Sequence, residues 1–267
     1  MIQRRPLPIR LLPPRLRLSL FDRFYRTRRD RWLSLYQDAA LLASSDVSMQ
    51  LIPGDRLSDE LAFTGSFDAD LTHRVTALGR QGGTMIDVGA NLGYFSLLWA
   101  SYNSSNRVIA FEAAPRNLEI LRGNISRNAF VERIRVVPCA AAAQPGRLLF
   151  DLGPEDQCGW GGITFEKRGG SIEVESVRVD EMVSLDEPIS LLKVDTEGAD
   201  ALVLMGCERL LKSRSVHEIW FEQNKPRMGL LGIHPDAAQE YLESMGYVCS
   251  AHCDPSDAVV AWSALPQ

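Results

Sequence analysis

The chain has 267 residues, 45% of them hydrophobic and 24% charged, enough to bury a sizeable core and to exclude a disordered chain. Its formal charge of −5 is unevenly placed: residues 1–31 hold ten arginines against Asp22 and Asp30, so a basic arm precedes an acidic body, and no nucleic-acid partner is expected. Five scattered cysteines, Cys139, Cys158, Cys207, Cys249 and Cys253, suit free thiols in a reducing compartment, and no run has the length of a signal core or a membrane span, so a cytoplasmic location is expected.

In the arm, Leu11, Leu12, Leu16, Leu18, Leu20, Phe21 and Phe24 interleave with the arginines. It reads either as a solvated extension or as a peripheral amphipathic element drawn to an anionic membrane surface or an acidic partner. Pro6, Pro8, Pro13 and Pro14 argue against one continuous helix. Apolar residues at helical spacing predict a helix over 31–43, and these first 45 residues are set apart from a body of residues 46–267. Over 47–67, Pro53-Gly54-Asp55 and Thr64-Gly65-Ser66 punctuate short apolar pieces, which predicts strands or a hairpin. A helix over 71–78 follows.

Strand and helix patterns then alternate: strands over 84–88, 107–112 and 134–140, with helices over 94–101 and 115–128 between them. The rhythm breaks in an insert at about 146–185, where antiparallel strands are expected. It resumes with a strand at 190–194, a helix over 199–212, a strand at 216–221, a helix over 235–245 and strands at 247–250 and 258–263. This predicts an α/β fold: a doubly wound, mostly parallel, seven-stranded sheet with an N-terminal helical and hairpin extension and an antiparallel insert.

In such a sheet ligands bind beyond the carboxyl ends of the strands, at the point where strand order reverses. Asp87-Val88-Gly89-Ala90-Asn91-Leu92-Gly93-Tyr94 carries a buried strand into a glycine turn and straight into a helix, whose N-terminal dipole favours a carboxylate. A dinucleotide fingerprint needs a glycine where Asn91 stands, and Asp87 at the strand end would repel a pyrophosphate but could hold an ammonium group. The turn therefore favours a cofactor with an amino-acid end, S-adenosyl-L-methionine, over a nicotinamide dinucleotide. Glu112, at the end of the second strand, is placed to accept both ribose hydroxyls of an adenosine. Asp87, Gly89, Asn91, Gly93, Tyr94, Glu112, Ala113, Ala140 and Asp195 form the expected cofactor set.

A second buried strand opens into an acidic turn at Leu191-Leu192-Lys193-Val194-Asp195-Thr196-Glu197-Gly198-Ala199-Asp200. The two motifs in this order, with Phe111-Glu112-Ala113-Ala114-Pro115 and the Leu204 to Gly206 segment, resemble the FkbM-type methyltransferases over about residues 47–250. Thr196, Asp200 and Ala113-Ala114 depart from the usual pattern in conservative ways. The resemblance implies the class I, Rossmann-like methyltransferase fold, S-adenosylmethionine as donor, and a hydroxyl acceptor on a sugar or natural product.

Displacement at a sulfonium needs an aligned acceptor and a base. Asp195 is the first candidate and Glu197 the second, with Glu222 and His234 on the acceptor side and Trp160 in the insert bordering the pocket. No metal is expected. Asp195, Glu197 and Glu222 offer oxygen ligands without a tight ligand spacing, and the Cys249/Cys253 pair beside His252 lacks a second ligand pair for zinc. The expected partner is a small-molecule, glycan or lipid-linked hydroxyl acceptor, with membrane contact through the arm and homo-oligomerisation left open. The competing readings are a nicotinamide-dependent oxidoreductase and a non-catalytic binding module on the same fold.

Overall fold

The computed structural model describes residues 5–167, 169–184, 188–252 and 259–266. Seven strands form one sheet, ordered Tyr247–His252, Val259–Pro266, Ile219–Asn224, Ile189–Val194, Thr84–Val88, Arg107–Phe111 and Ile134–Val137. Every neighbouring pair from Ile219–Asn224 to Ile134–Val137 is parallel, and Val259–Pro266 runs antiparallel to both of its neighbours. The expected α/β, doubly wound, mostly parallel seven-stranded sheet is therefore present. Strand order reverses between Thr84–Val88 and Ile189–Val194, the strands that lead into the two motifs.

These strands read as near-continuous apolar runs because helices cover both faces. All five residues of Thr84–Val88 are buried; Met85 packs into one core with Leu97, Leu98 and Trp99, while Ile86 and Val88 pack into the other with Leu192 and Val194. The alternation follows the period of two along a strand. It puts Asp87 on the Met85 face, where register pairs it with Lys193 across the sheet.

Several local expectations are corrected by tertiary contacts. Residues 47–67 do not form a hairpin of their own: Ser48–Met49 pairs with Ala39–Ala40, and Arg56–Thr64 is a helix. Asp55 caps that helix by accepting from the Ser58 N–H at 2.9 Å, and Gly65 ends it at φ 81°. The expected helix over 31–43 is reduced to Ser34–Gln37, because Ala39 and Ala40 enter the strand pair and Leu41 N–H donates to Val47 O. The third strand stops at Val137, since Pro138 has no N–H for the ladder, and Ala140–Ala141 joins a separate four-stranded sheet instead. Gly146–Asp151, Gly162–Thr164 and Ser171–Val177 complete that sheet, which is the expected insert.

The helix expected over 199–212 breaks at Gly206, where a Cβ would lie 2.2 Å from Ala142 O. Asp180 then caps the second piece, accepting from the Arg209 and Leu210 N–H groups at 2.8 and 3.0 Å. The arm forms two helices, Leu7–Leu11 and Pro14–Phe24, separated at Pro13, and anchors on the body through buried Ile9 and Phe21. Of the cysteine pair near the C-terminus, Cys253 lies outside the described residues.

Candidate functional site

Gly89, Asn91, Tyr94, Glu112, Ala113, Ala140, Asp195, Glu197 and Glu222 line one cavity of about 290 Å³ at the strand ends. Asp87, Gly93 and His234 do not line it.

The glycine turn is built by alternating left-handed backbone, with φ of 76° at Gly89, 52° at Asn91 and 95° at Gly93. At Gly89 a Cβ would stand 1.9 Å from Asp195 O, so what the missing side chain admits is the backbone of the second motif. At Gly93 the same construction meets Leu121 Cδ1 at 2.7 Å, a core contact behind the turn. Gly89→Ala should cost at least the 1–2 kcal/mol or so of forcing a side chain into left-handed backbone. It should also move the Asp195 loop and weaken donor binding by tenfold or more. Chemical denaturation and calorimetry read the two effects.

Glu112 fixes the turn. Its Oε2 accepts from Asn91 N–H and its Oε1 from Ala114 N–H, both at 2.8 Å. Each oxygen keeps a further lone pair for a ligand. Burial raises the Glu112 pKa, and these N–H groups work against that rise. Around it Phe111, Ala113, Cys139, Ala140, Phe150 and Ile163 give an apolar wall. Tyr94 faces the same space, with its hydroxyl 3.0 Å from Thr72 Oγ1.

The expectation that Asp87 contacts a ligand's ammonium group is corrected by its partners. Asp87 is fully buried; its Oδ2 accepts from Ser96 Oγ at 2.6 Å and its Oδ1 lies 3.2 Å from Lys193 Nζ. Lys193, which the motif reading passed over, is the hub of the site. It is 2% exposed, and its Nζ donates to Gly89 O at 3.2 Å, pairs with Asp195 Oδ2 at 3.4 Å and sits 5.5 Å from the Phe95 ring centre. Burial opposes its charge, but Asp87 and Asp195 outweigh burial and raise its pKa. The available signal was a lysine between apolar neighbours in a strand that is otherwise buried.

The opposite wall is acidic. One oxygen from each of Asp195, Glu197 and Glu222 lies within 4.8 Å of the others. Burial first, then the charge of Asp195, raises Glu197 to about 7 and lifts Glu222 well above the usual carboxylate range. Glu197 Oε2 accepts from Asn224 Nδ2 at 2.8 Å and lies 3.9 Å from Arg227 Nε, whereas the buried Glu222 Oε2 has no hydrogen-bond partner. Asp200 is also raised, to about 8, by burial and then Asp195, while accepting from the Thr196 and Gly198 N–H groups. Three converging carboxylates suit a divalent cation, or a ligand that carries its own positive charge.

His234 is placed on the surface, its side chain 68% exposed and 3.7 Å from Asp236. The loop beyond the Glu222 strand is taken up by the helix Lys225–Leu230, capped when Asn224 Oδ1 accepts from Arg227 N–H at 3.3 Å, and this carries His234 out of the site. The first-half residues Arg56, Leu57, Glu60 and Phe67 enter the cavity wall instead. Their signal was the Asp55 cap followed by Leu57, Leu61 and Thr64 at helical spacing.

Residues 87–249 match the model of the methyltransferase FkbM domain. The chain belongs to the FkbM methyltransferase family. A curated relative, the methyltransferase sdnD of Sordaria araneosa, is 26% identical over 155 residues, which cover 46% of this chain and 60% of that protein. Among solved structures, a putative tRNA (m1A22) methyltransferase of Streptococcus pneumoniae in complex with S-adenosyl-L-methionine has a TM-score of 0.45 at 13% identity, covering 73% of this chain and 72% of its own. A putative caffeoyl-CoA O-methyltransferase from Staphylococcus aureus has a TM-score of 0.46 at 11% identity, with 94% and 98% covered.

As an FkbM methyltransferase the protein uses S-adenosyl-L-methionine as its donor. The cavity residues fit that molecule. Glu112 and the apolar wall suit an adenosine, and the Asp195, Glu197 and Glu222 wall suits the positively charged methionine end. A dinucleotide pyrophosphate would instead meet these carboxylates and be repelled.

Proposed function

We propose that this methyltransferase acts on a hydroxyl of a sugar, glycan or natural product, with Glu197 as the base. The observation that carries this reading is Glu197 itself: a carboxylate on the cavity wall, held near pKa 7 by burial and by Asp195. A hydroxyl is a poor nucleophile until its proton is taken, and a base is most effective when its pKa lies near the working pH.

When bound, the donor supplies an electrophilic methyl group on a positively charged sulfur. Glu112 and the turn at Gly89 to Leu92 hold the adenosine side. Lys193 fixes the Asp195 carboxylate and the Gly89 carbonyl, which orients the methionine side. Asp195 is thereby a positioning group, held in its ion pair with Lys193, and Glu197 takes the role of base, the reverse of the order expected from the motif. Glu197 would take the proton of the acceptor hydroxyl as its oxygen replaces the donor's sulfur on the methyl carbon, the sulfur keeping the electron pair of the broken bond, with Glu222 beside Glu197 at the same wall. Trp160, 52% exposed at the cavity, and Phe67 offer aromatic surface on the acceptor side.

A labelled-methyl assay against hydroxylated glycans and natural-product scaffolds tests the reading. The expected product carries the label in an ether methyl stable to mild alkali. Label found on nitrogen or carbon, or in an alkali-labile ester, would contradict it.

A further inference from the structure

We infer that the N-terminal arm docks the enzyme on an anionic lipid surface. This goes beyond the methyl-transfer reading and does not depend on which acceptor is used.

Residues 1–31 carry a formal charge of +8, from ten arginines and two aspartates, while the rest of the chain carries −13, from 19 lysines and arginines against 32 acids. Part of that basic charge fastens the arm to the body. Arg5 Nε donates to Ala62 O at 2.9 Å, Arg17 Nη1 donates to Thr64 O at 3.0 Å, and Arg29 Nη1 lies 3.9 Å from Asp59 Oδ2. Arg10, Arg23, Arg26 and Arg28 remain exposed.

The same segment exposes apolar side chains that a folded, water-facing element would bury. Eleven large hydrophobic residues are exposed among the described residues, and five of them, Leu7, Leu11, Leu16, Phe24 and Leu33, fall within residues 7–33; Leu11 is 76% exposed. Leu7 and Leu11 lie four apart on the first helix, and Leu16 and Phe24 lie eight apart on the second with the partly buried Leu20 midway between them, so each exposed pair lies along one helix face. Leu20, Phe24 and Trp32 also line, with Arg28 and Arg31, a surface depression of about 410 Å³.

Arginines beside exposed leucines match an interface where anionic headgroups cover acyl chains. An acidic soluble partner would satisfy the charges and leave the leucines in water. A second copy would bring two basic faces together and repel. The acidic body would be repelled by the same membrane, which orients the arm towards it. No helix among the described residues is long and apolar enough to cross a membrane, so the attachment is peripheral. The arm rests on the helix Arg56–Thr64, whose Arg56, Leu57 and Glu60 line the catalytic cavity, so docking brings that wall near the surface.

The test is co-sedimentation of the full chain with vesicles of phosphatidylcholine alone or with about one third phosphatidylserine. Binding should be at least tenfold greater to the anionic vesicles and fall steeply in high salt. The variants Arg23→Glu/Arg26→Glu and Leu11→Ser/Leu16→Ser should each reduce it tenfold or more, while circular dichroism and donor affinity stay at the wild-type level. Equal binding to both vesicles, no binding, or variants that bind like the wild type would overturn the inference. So would a dimer, seen by light scattering, that these variants dissociate.

Discussion

Lys193→Met is expected to destabilise the protein by about 3–5 kcal/mol, the cost of leaving a buried charge without its partner. The charge in question is Asp87, fully buried and left with Ser96 alone once the ammonium at 3.2 Å is removed. Methionine fills much of the space of lysine, so the loss is electrostatic rather than a cavity effect. The double variant Asp87→Asn/Lys193→Met should recover most of the stability, because a neutral amide no longer needs the cation. Urea denaturation of the four proteins of this cycle measures the coupling. Donor affinity should stay low in the double variant, since Gly89 O and Asp195 still lose the group that aligns them. Recovery of stability without recovery of binding separates the folding role of the lysine from its role in the site.

Glu197→Gln is expected to lower kcat by about 10²–10⁴-fold, the usual contribution of a positioned base. Donor affinity should change by less than about tenfold, since the amide keeps the size and the contact with Asn224. The pH dependence gives the sharper readout. Glu197 works only when ionised and is raised to about 7, so wild-type turnover should climb about tenfold per pH unit below 7 and level off above it. The variant should lack that limb.

The same shift has a consequence for stability, opposite in direction to its effect on rate. A carboxyl whose folded pKa lies above its unfolded value contributes stability that is fully present below the unfolded value, near 4.5, and is lost as pH rises through about 7. The ligand-free enzyme should therefore melt lower at pH 8 than at pH 5, and Glu197→Gln should flatten that slope. Glu60, raised by burial to about 7, adds to the trend in both proteins.

Much of this site was legible in the chain because its parts are local. The turn at Gly89 to Gly93, Glu112 at a strand end and the acidic turn at Asp195 to Glu197 each follow an apolar strand, and the parallel order brings all three to one edge. Lys193 was not legible in the same way. Its role depends on register: it meets Asp87 because two strands separated by about a hundred residues pair with these positions opposite. The helix Arg56–Thr64 was hidden by turn residues at both of its ends, which read as hairpin punctuation until Asp55 is seen to cap it. His234 was misplaced because a short helix, capped by Asn224, replaced the expected loop. Gly89, expected in the cofactor set, also makes room for the Asp195 backbone. That closeness could be seen only once both motifs stood at the same strand edge.

The central claim is that the cavity at this edge holds S-adenosyl-L-methionine, with Glu112 on its adenosine side. Isothermal titration of the protein with S-adenosyl-L-methionine, and separately with a nicotinamide dinucleotide, tests it most directly. One donor should bind per chain, the dinucleotide should give no heat, and Glu112→Ala should weaken the donor at least tenfold. Binding of the dinucleotide in place of the donor, or donor affinity unchanged in Glu112→Ala, would contradict the account.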